Sequence, residues 1–121
     1  MAANEKDIRC TSIVSANNLV GAEHYVVTWA GAKTANNTQV PAGVVRRGRA
    51  NNLASEIITA GSCMAYVTLG ANQSVAIGTK LSAGANGCFE VAGTTTYVAA
   101  VSLEANNTAN NTHLLNVRVR P

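Results

Sequence analysis

The residues able to do acid–base or nucleophilic chemistry are few in this chain, and they are scattered. The histidines are His24 and His113. The carboxylates are Glu5, Asp7, Glu23, Glu56, Glu90 and Glu104, and the cysteines are Cys10, Cys63 and Cys88. General acid–base catalysis needs positioned groups converging on one reacting centre. Nucleophilic catalysis needs a nucleophile, a base and an orienting group within hydrogen-bond reach. Asp7 is the only Asp and stands in a polar N-terminal stretch, and no close carboxylate pair occurs in the body of the chain. A site such as His113 with Cys63 is conceivable on paper, but no motif supports it. No His or Cys pair has metal-ligand spacing, and no Gly-rich phosphate loop precedes a helix. The expectation is a non-enzymatic protein without cofactor, metal or small-molecule substrate. Three widely spaced cysteines without a Cys-x-x-Cys pair point to reduced thiols made in a cytoplasm. Cys63 and Cys88 then serve as small buried hydrophobes.

The only dense charge cluster is Arg46, Arg47 and Arg49, in a chain with 12% charged residues and a net charge of +3. It reads as a solvated loop or as a patch facing an anionic surface, either acidic protein or phosphate. A small barrel that binds nucleic acid normally adds stacking aromatics on the same face. Aromatics make up only 4% of this chain, and at least two of Tyr66, Phe89 and Tyr97 are assigned to the core. Protein surface therefore ranks above nucleic acid as a partner. Asn4, Glu5, Lys6, Asp7 and Arg9 lie in a stretch of mixed sign. Residues 1–10 read as a polar arm that could order on a partner or a neighbouring protomer, and residues 11–121 as one β domain. Neither a signal-peptide pattern nor an apolar run long enough to cross a membrane is present.

The elements that must carry these residues are strands. Leu115, Val117 and Val119 alternate with Asn116, Arg118 and Arg120, the period of a half-buried strand. Tyr25, Val27 and Trp29 share one face of another candidate. Residues 55–59 and 63–69 flank Ala60-Gly61-Ser62 and predict a hairpin. Residues 80–83 and 88–92 flank Asn86-Gly87, a strong tight-turn dipeptide. Residues 95–104 predict a long strand with Tyr97, Ala99, Val101 and Leu103 on one face. Ala-Asn-Asn recurs at Ala16, Ala35, Ala50, Ala105 and Ala109 without a fixed period, which marks turns rather than a solenoid. Helical signals are confined to a turn or two near residues 49–54. The fold class is all-β, a small single-domain barrel or sandwich.

Across residues 40–119 the order of features is distinctive. Gly43-Val44-Val45 precedes Glu56-Ile57-Ile58, and Gly61 precedes Cys63. Val75-Ala76-Ile77-Gly78-Thr79-Lys80-Leu81-Ser82-Ala83 follows, and then Asn86-Gly87. Tyr97-Val98-Ala99-Ala100-Val101-Ser102-Leu103-Glu104-Ala105 leads to the alternating last strand. This resembles the small capsid decoration, or cement, proteins of tailed bacteriophages. Thr79 stands where that family often has Asp, Ala99-Ala100 where it often has Gly, and Arg46-Arg47-Gly48-Arg49 where it is usually acidic. The resemblance implies a structural virion protein, made in the host bacterial cytoplasm, that sits on the capsid exterior. There it would bind the major capsid protein and itself, as a homotrimer or, second, a dimer. The alternatives are a small nucleic-acid-binding barrel and a fibre or adhesin module.

Overall fold

The computed structural model describes residues 8–94 and 96–120. Among the described residues eight strands follow one another: β1 (Arg9–Val14), β2 (Val26–Val27), β3 (Gly43–Arg47), β4 (Ala54–Leu69), β5 (Lys80–Ala83), β6 (Phe89–Val91), β7 (Ala100–Ser102) and β8 (Asn111–Val119). The fold is all-β, a closed five-stranded barrel with extra strands in one small domain.

The organising element is β4. Where the sequence predicts a hairpin around Ala60-Gly61-Ser62, the chain runs on as one sixteen-residue strand. Gly61 takes φ 110°, open to glycine and strained for other residues. The chain does not reverse there; it changes partners. The first half of β4 pairs antiparallel with β1 on one side and β3 on the other, the last of the β1 pairs being Arg9 with Ala60. From Gly61 onward it pairs with β8 in an unbroken antiparallel ladder from Gly61–Val119 to Leu69–Asn111. Val67 also pairs parallel with Phe89 of β6. β6 pairs with β5, β5 with β7 and β7 with β8, so the ring closes.

Two apolar clusters follow from this division. The barrel interior holds Val67, Leu69, Leu81, Phe89, Leu115, Val117 and Val119, extended by Val26 and Val44. The other face of the side sheet packs Ile13, Val27, Val45 and Ile57 against Leu19, Ala22 and Ala42. Val26 and Val27 are fully buried, one in each cluster, as expected of successive strand residues pointing to opposite faces.

The predicted last strand is as expected, with Leu115, Val117 and Val119 buried and Asn116, Arg118 and Arg120 exposed. The Asn-Gly turn is also present, as a short 3-10 turn in which Asn86 adopts φ 59°, ψ 27°. Asn52, Asn72 and Asn110 take similar left-handed angles, which is why asparagine punctuates this chain. Residues 49–54 hold a tight turn and no helix. Two other expectations are corrected. Among the described residues of 95–104 only Ala100–Ser102 is strand, and its face is inverted. Ala100 and Ser102 lie opposite Val119 and Val117. Directly opposed residues share a face, so these small side chains point into the barrel, and Tyr97 and Leu103 are exposed. The candidate strand of Tyr25, Val27 and Trp29 reduces to Val26–Val27, because the chain turns back with Gly31 N–H donating to the Thr28 carbonyl and Thr28 N–H to the Ala32 carbonyl. Trp29, at the tip of that turn, is 60% exposed.

Small polar residues complete the interior. Buried Thr34 donates to the Gly84 carbonyl at 2.9 Å, Ser15 to the Gly31 carbonyl at 3.0 Å and Ser102 to the Glu104 carbonyl at 2.6 Å. Ser82 Oγ, fully buried, has no hydrogen-bond partner among the described residues. A buried hydroxyl without a partner costs about 1–3 kcal/mol. We expect Ser82→Ala to raise unfolding stability by about 1 kcal/mol and Phe89→Ala to lower it by about 3–5 kcal/mol. Urea denaturation of the two variants beside the parent checks both signs.

Candidate contact surfaces

The arginine cluster is not a loop. Val44 and Val45 are buried and pair with Ile58 and Ile57, which draws β3 through to Arg47. The register shifts between Val45 and Arg47. Such a bulge places two residues against one, so Arg46 and Arg47 are both exposed instead of alternating. Arg47 lies opposite Glu56. Arg46 reaches across β4 toward β1, with Nη1 donating to Cys10 Sγ at 3.6 Å. Arg49 follows in the loop, its backbone N–H donating to Ser55 Oγ at 2.9 Å and its carbonyl accepting from Leu19 N–H at 2.8 Å. Gly48 between them has its N–H on Glu23 Oε2 at 2.7 Å, and a Cβ there would lie 1.6 Å from the Leu19 carbonyl oxygen. The cluster is therefore fixed by its backbone while its side chains face out.

Arg9 belongs elsewhere. It opens β1 opposite Ala60 and, with Arg120, lines a cleft of about 280 Å³ where the side sheet meets the barrel. Trp29, Val40 and Tyr97 are exposed along this cleft, and Phe89 lies at its base. Of the remaining arm candidates, Asn4, Glu5, Lys6 and Asp7 lie outside the described residues. Sequence reasoning missed Trp29, Tyr97 and Arg120 as a group. The residues Ala30-Gly31, with Gly31 at φ 81°, were the available hint that the strand stops and Trp29 turns outward.

The catalytic candidates do not converge. Val67 pairs with His113 and Cys63 with Val117, four ladder positions apart, or about 13 Å along the strand. His113 Nε2 is 2.8 Å from the Thr108 carbonyl and His24 Nδ1 3.3 Å from the Met64 carbonyl. Glu104 Oε1 accepts from the Asn116 backbone N–H at 2.6 Å, a structural bond like that of Glu23. Among the described residues, no three His, Cys, Asp or Glu side chains gather as a metal site would require.

The three cysteines are free: Cys10 exposed, Cys63 half-buried and Cys88 buried. Burial, with the nearby Cys10 adding to it, pushes the Cys63 thiol up from 9.0 to about 12.

No protein-family model matches the sequence, and no curated protein matches it. Among solved structures, the chain is similar to the N base of head fiber gp8.5 of bacteriophage phi29. The TM-score is 0.57 at 12% identity, over 93% of this chain and 94% of that one. The shared property is the fold, matched along nearly the whole of both chains.

In folded protein we expect iodoacetamide to label Cys10 well before Cys63, since the thiolate is the reactive species. The pH dependence follows from the same burial. The unfolded chain ionises Cys63 near pH 9 and the folded chain near 12, so deprotonation favours the unfolded state in that window. Stability should fall between pH 9 and 12 by an amount that Cys63→Ala removes, read from urea midpoints at pH 8 and pH 10.5.

Proposed function

We propose that this chain is a non-enzymatic structural protein of a tailed-phage virion. In this reading it binds the exterior of the head and stabilises the lattice of major capsid proteins. The observation that carries the reading is the end-to-end similarity to the base of a phage head fiber. The motif order across residues 40–119 supports the decoration role in particular. The rigidly held Arg46, Arg47 and Arg49 offer guanidinium groups suited to an acidic protein surface.

The mechanism is mass action. A protein that binds only the assembled, expanded shell shifts the equilibrium toward that state. Modest contacts repeated over a lattice become collectively strong. A homotrimer suits placement on a lattice axis, with a dimer as the second choice. The similarity to the base of a head fiber favours one further reading, a base module that seats a fibre on the head.

Purified chain should cosediment with expanded heads stripped of it, saturably, and raise the temperature at which those heads come apart. Replacing Arg46, Arg47 and Arg49 together with Ala should weaken that binding by about tenfold or more, the scale of one lost charge-assisted contact. A variant lacking residues 1–7, which stops short of β1, should also bind less while remaining folded. Failure to bind heads would count against the proposal, and binding without a change in head stability would favour the fibre base.

A further inference from the structure

The cleft between the side sheet and the barrel combines features that the arginine cluster lacks. Its charged lining residues are both cationic, Arg9 and Arg120, beside the neutral polar groups of Thr59, Tyr97 and Trp29. Among the described residues no Asp, Glu, Asn or Gln lines it. Trp29, Val40 and Tyr97 remain 60%, 52% and 43% exposed along it. Large exposed apolar groups gathered in one place mark binding surfaces far more often than isolated ones do.

The convergence is built by the fold. Ala60 pairs with Arg9 and Gly61 with Val119, so the strands carrying the two arginines meet β4 at adjacent positions. Arg120 is anchored by its N–H on the Ala99 carbonyl at 2.8 Å, two residues from Tyr97. Thr59 Oγ1 donates to the Arg9 carbonyl at 3.3 Å. Arginine's planar fork pairs with carboxylates, and aromatic and aliphatic walls take apolar side chains. Neutral sugar hydroxyls would call for the amide and carboxylate groups that this lining lacks.

We propose that this cleft binds an extended protein segment that presents carboxylates beside apolar side chains. The inference rests on the chemistry of the cleft alone. On the head-surface reading, the segment belongs to a shell protein.

Trp29 is the only tryptophan in the chain, so its fluorescence reports on the cleft directly. A short peptide of alternating glutamate and leucine should shift that fluorescence, and the binding should weaken with added salt. Arg9→Ala and Arg120→Ala should each weaken it by about tenfold or more, with the far-UV spectrum and melting temperature of the parent retained. Arg120→Lys, which keeps the charge but not the fork, should fall between. No shift, equal binding of a lysine–leucine peptide, or indifference to both arginine variants would overturn the proposal. So would binding of an oligogalacturonate in place of the peptide, which would assign the cleft to acidic glycan. Binding of the peptide only to a variant lacking residues 1–7 would overturn it as well, making the chain's own N-terminus the occupant. None of these readouts involves heads, so failure here is separable from failure of the head-binding reading.

Discussion

One strand holds two sheets together. β4 is hydrogen-bonded to β1 and β3 through its first half and to β6 and β8 through its second. The exchange happens at Gly61, where the backbone takes a positive φ without reversing. Everything else is placed relative to that strand. The barrel closes because β8 and β6 both find β4. The side sheet exists because β3 comes close enough that a Cβ on Gly43 would sit 1.9 Å from the Ile58 carbonyl oxygen. A single backbone shared by two sheets also ties their cores. Ile57 packs in one cluster and Ala65 in the other, and strain in either is felt along the same strand.

The interior built around β4 is thin. Among the largest fully buried side chains Phe89 is the only aromatic, and the remainder are aliphatic or small polar residues. Buried Ser and Thr hydroxyls bond to nearby carbonyls, which lets loop backbone approach the sheets without unpaired groups. Such a core is filled by small side chains rather than hollowed for a ligand. The exposed Trp29 and Tyr97 are accordingly on the outside, and the chemistry of this molecule is the chemistry of its surface.

How much of this was legible in the sequence depended on whether the local pattern had one solution. β8 was readable because one face is buried along its length, so alternation has one meaning. The Asn86 turn was readable because few residues tolerate left-handed backbone. Gly61 was misleading because glycine permits a reversal and a change of partners equally well, and only the long-range pairing chooses. The face of residues 95–104 was inverted for the same reason. It is dictated by Val117 and Val119 across the ladder, not by the bulk of Tyr97. Arg46, Arg47 and Arg49 were visible as a cluster because they are adjacent in the chain. The bulge that points Arg46 and Arg47 both outward was not. The meeting of Arg9 with Arg120 was invisible, since one opens the first strand and the other follows the last.

That meeting has a physical implication of its own. Two guanidiniums line one cleft with no carboxylate among its described lining, and both side chains are exposed. Alanine at either position would leave the core intact, because both side chains are exposed and Val119 packs without them. An incoming carboxylate would add charge-assisted hydrogen bonds to these guanidiniums. At the β3 cluster Arg47 already lies across from Glu56, and Glu23 already holds the loop between Arg47 and Arg49. Of the two basic surfaces, the cleft is the one with no carboxylate among the described residues that line it.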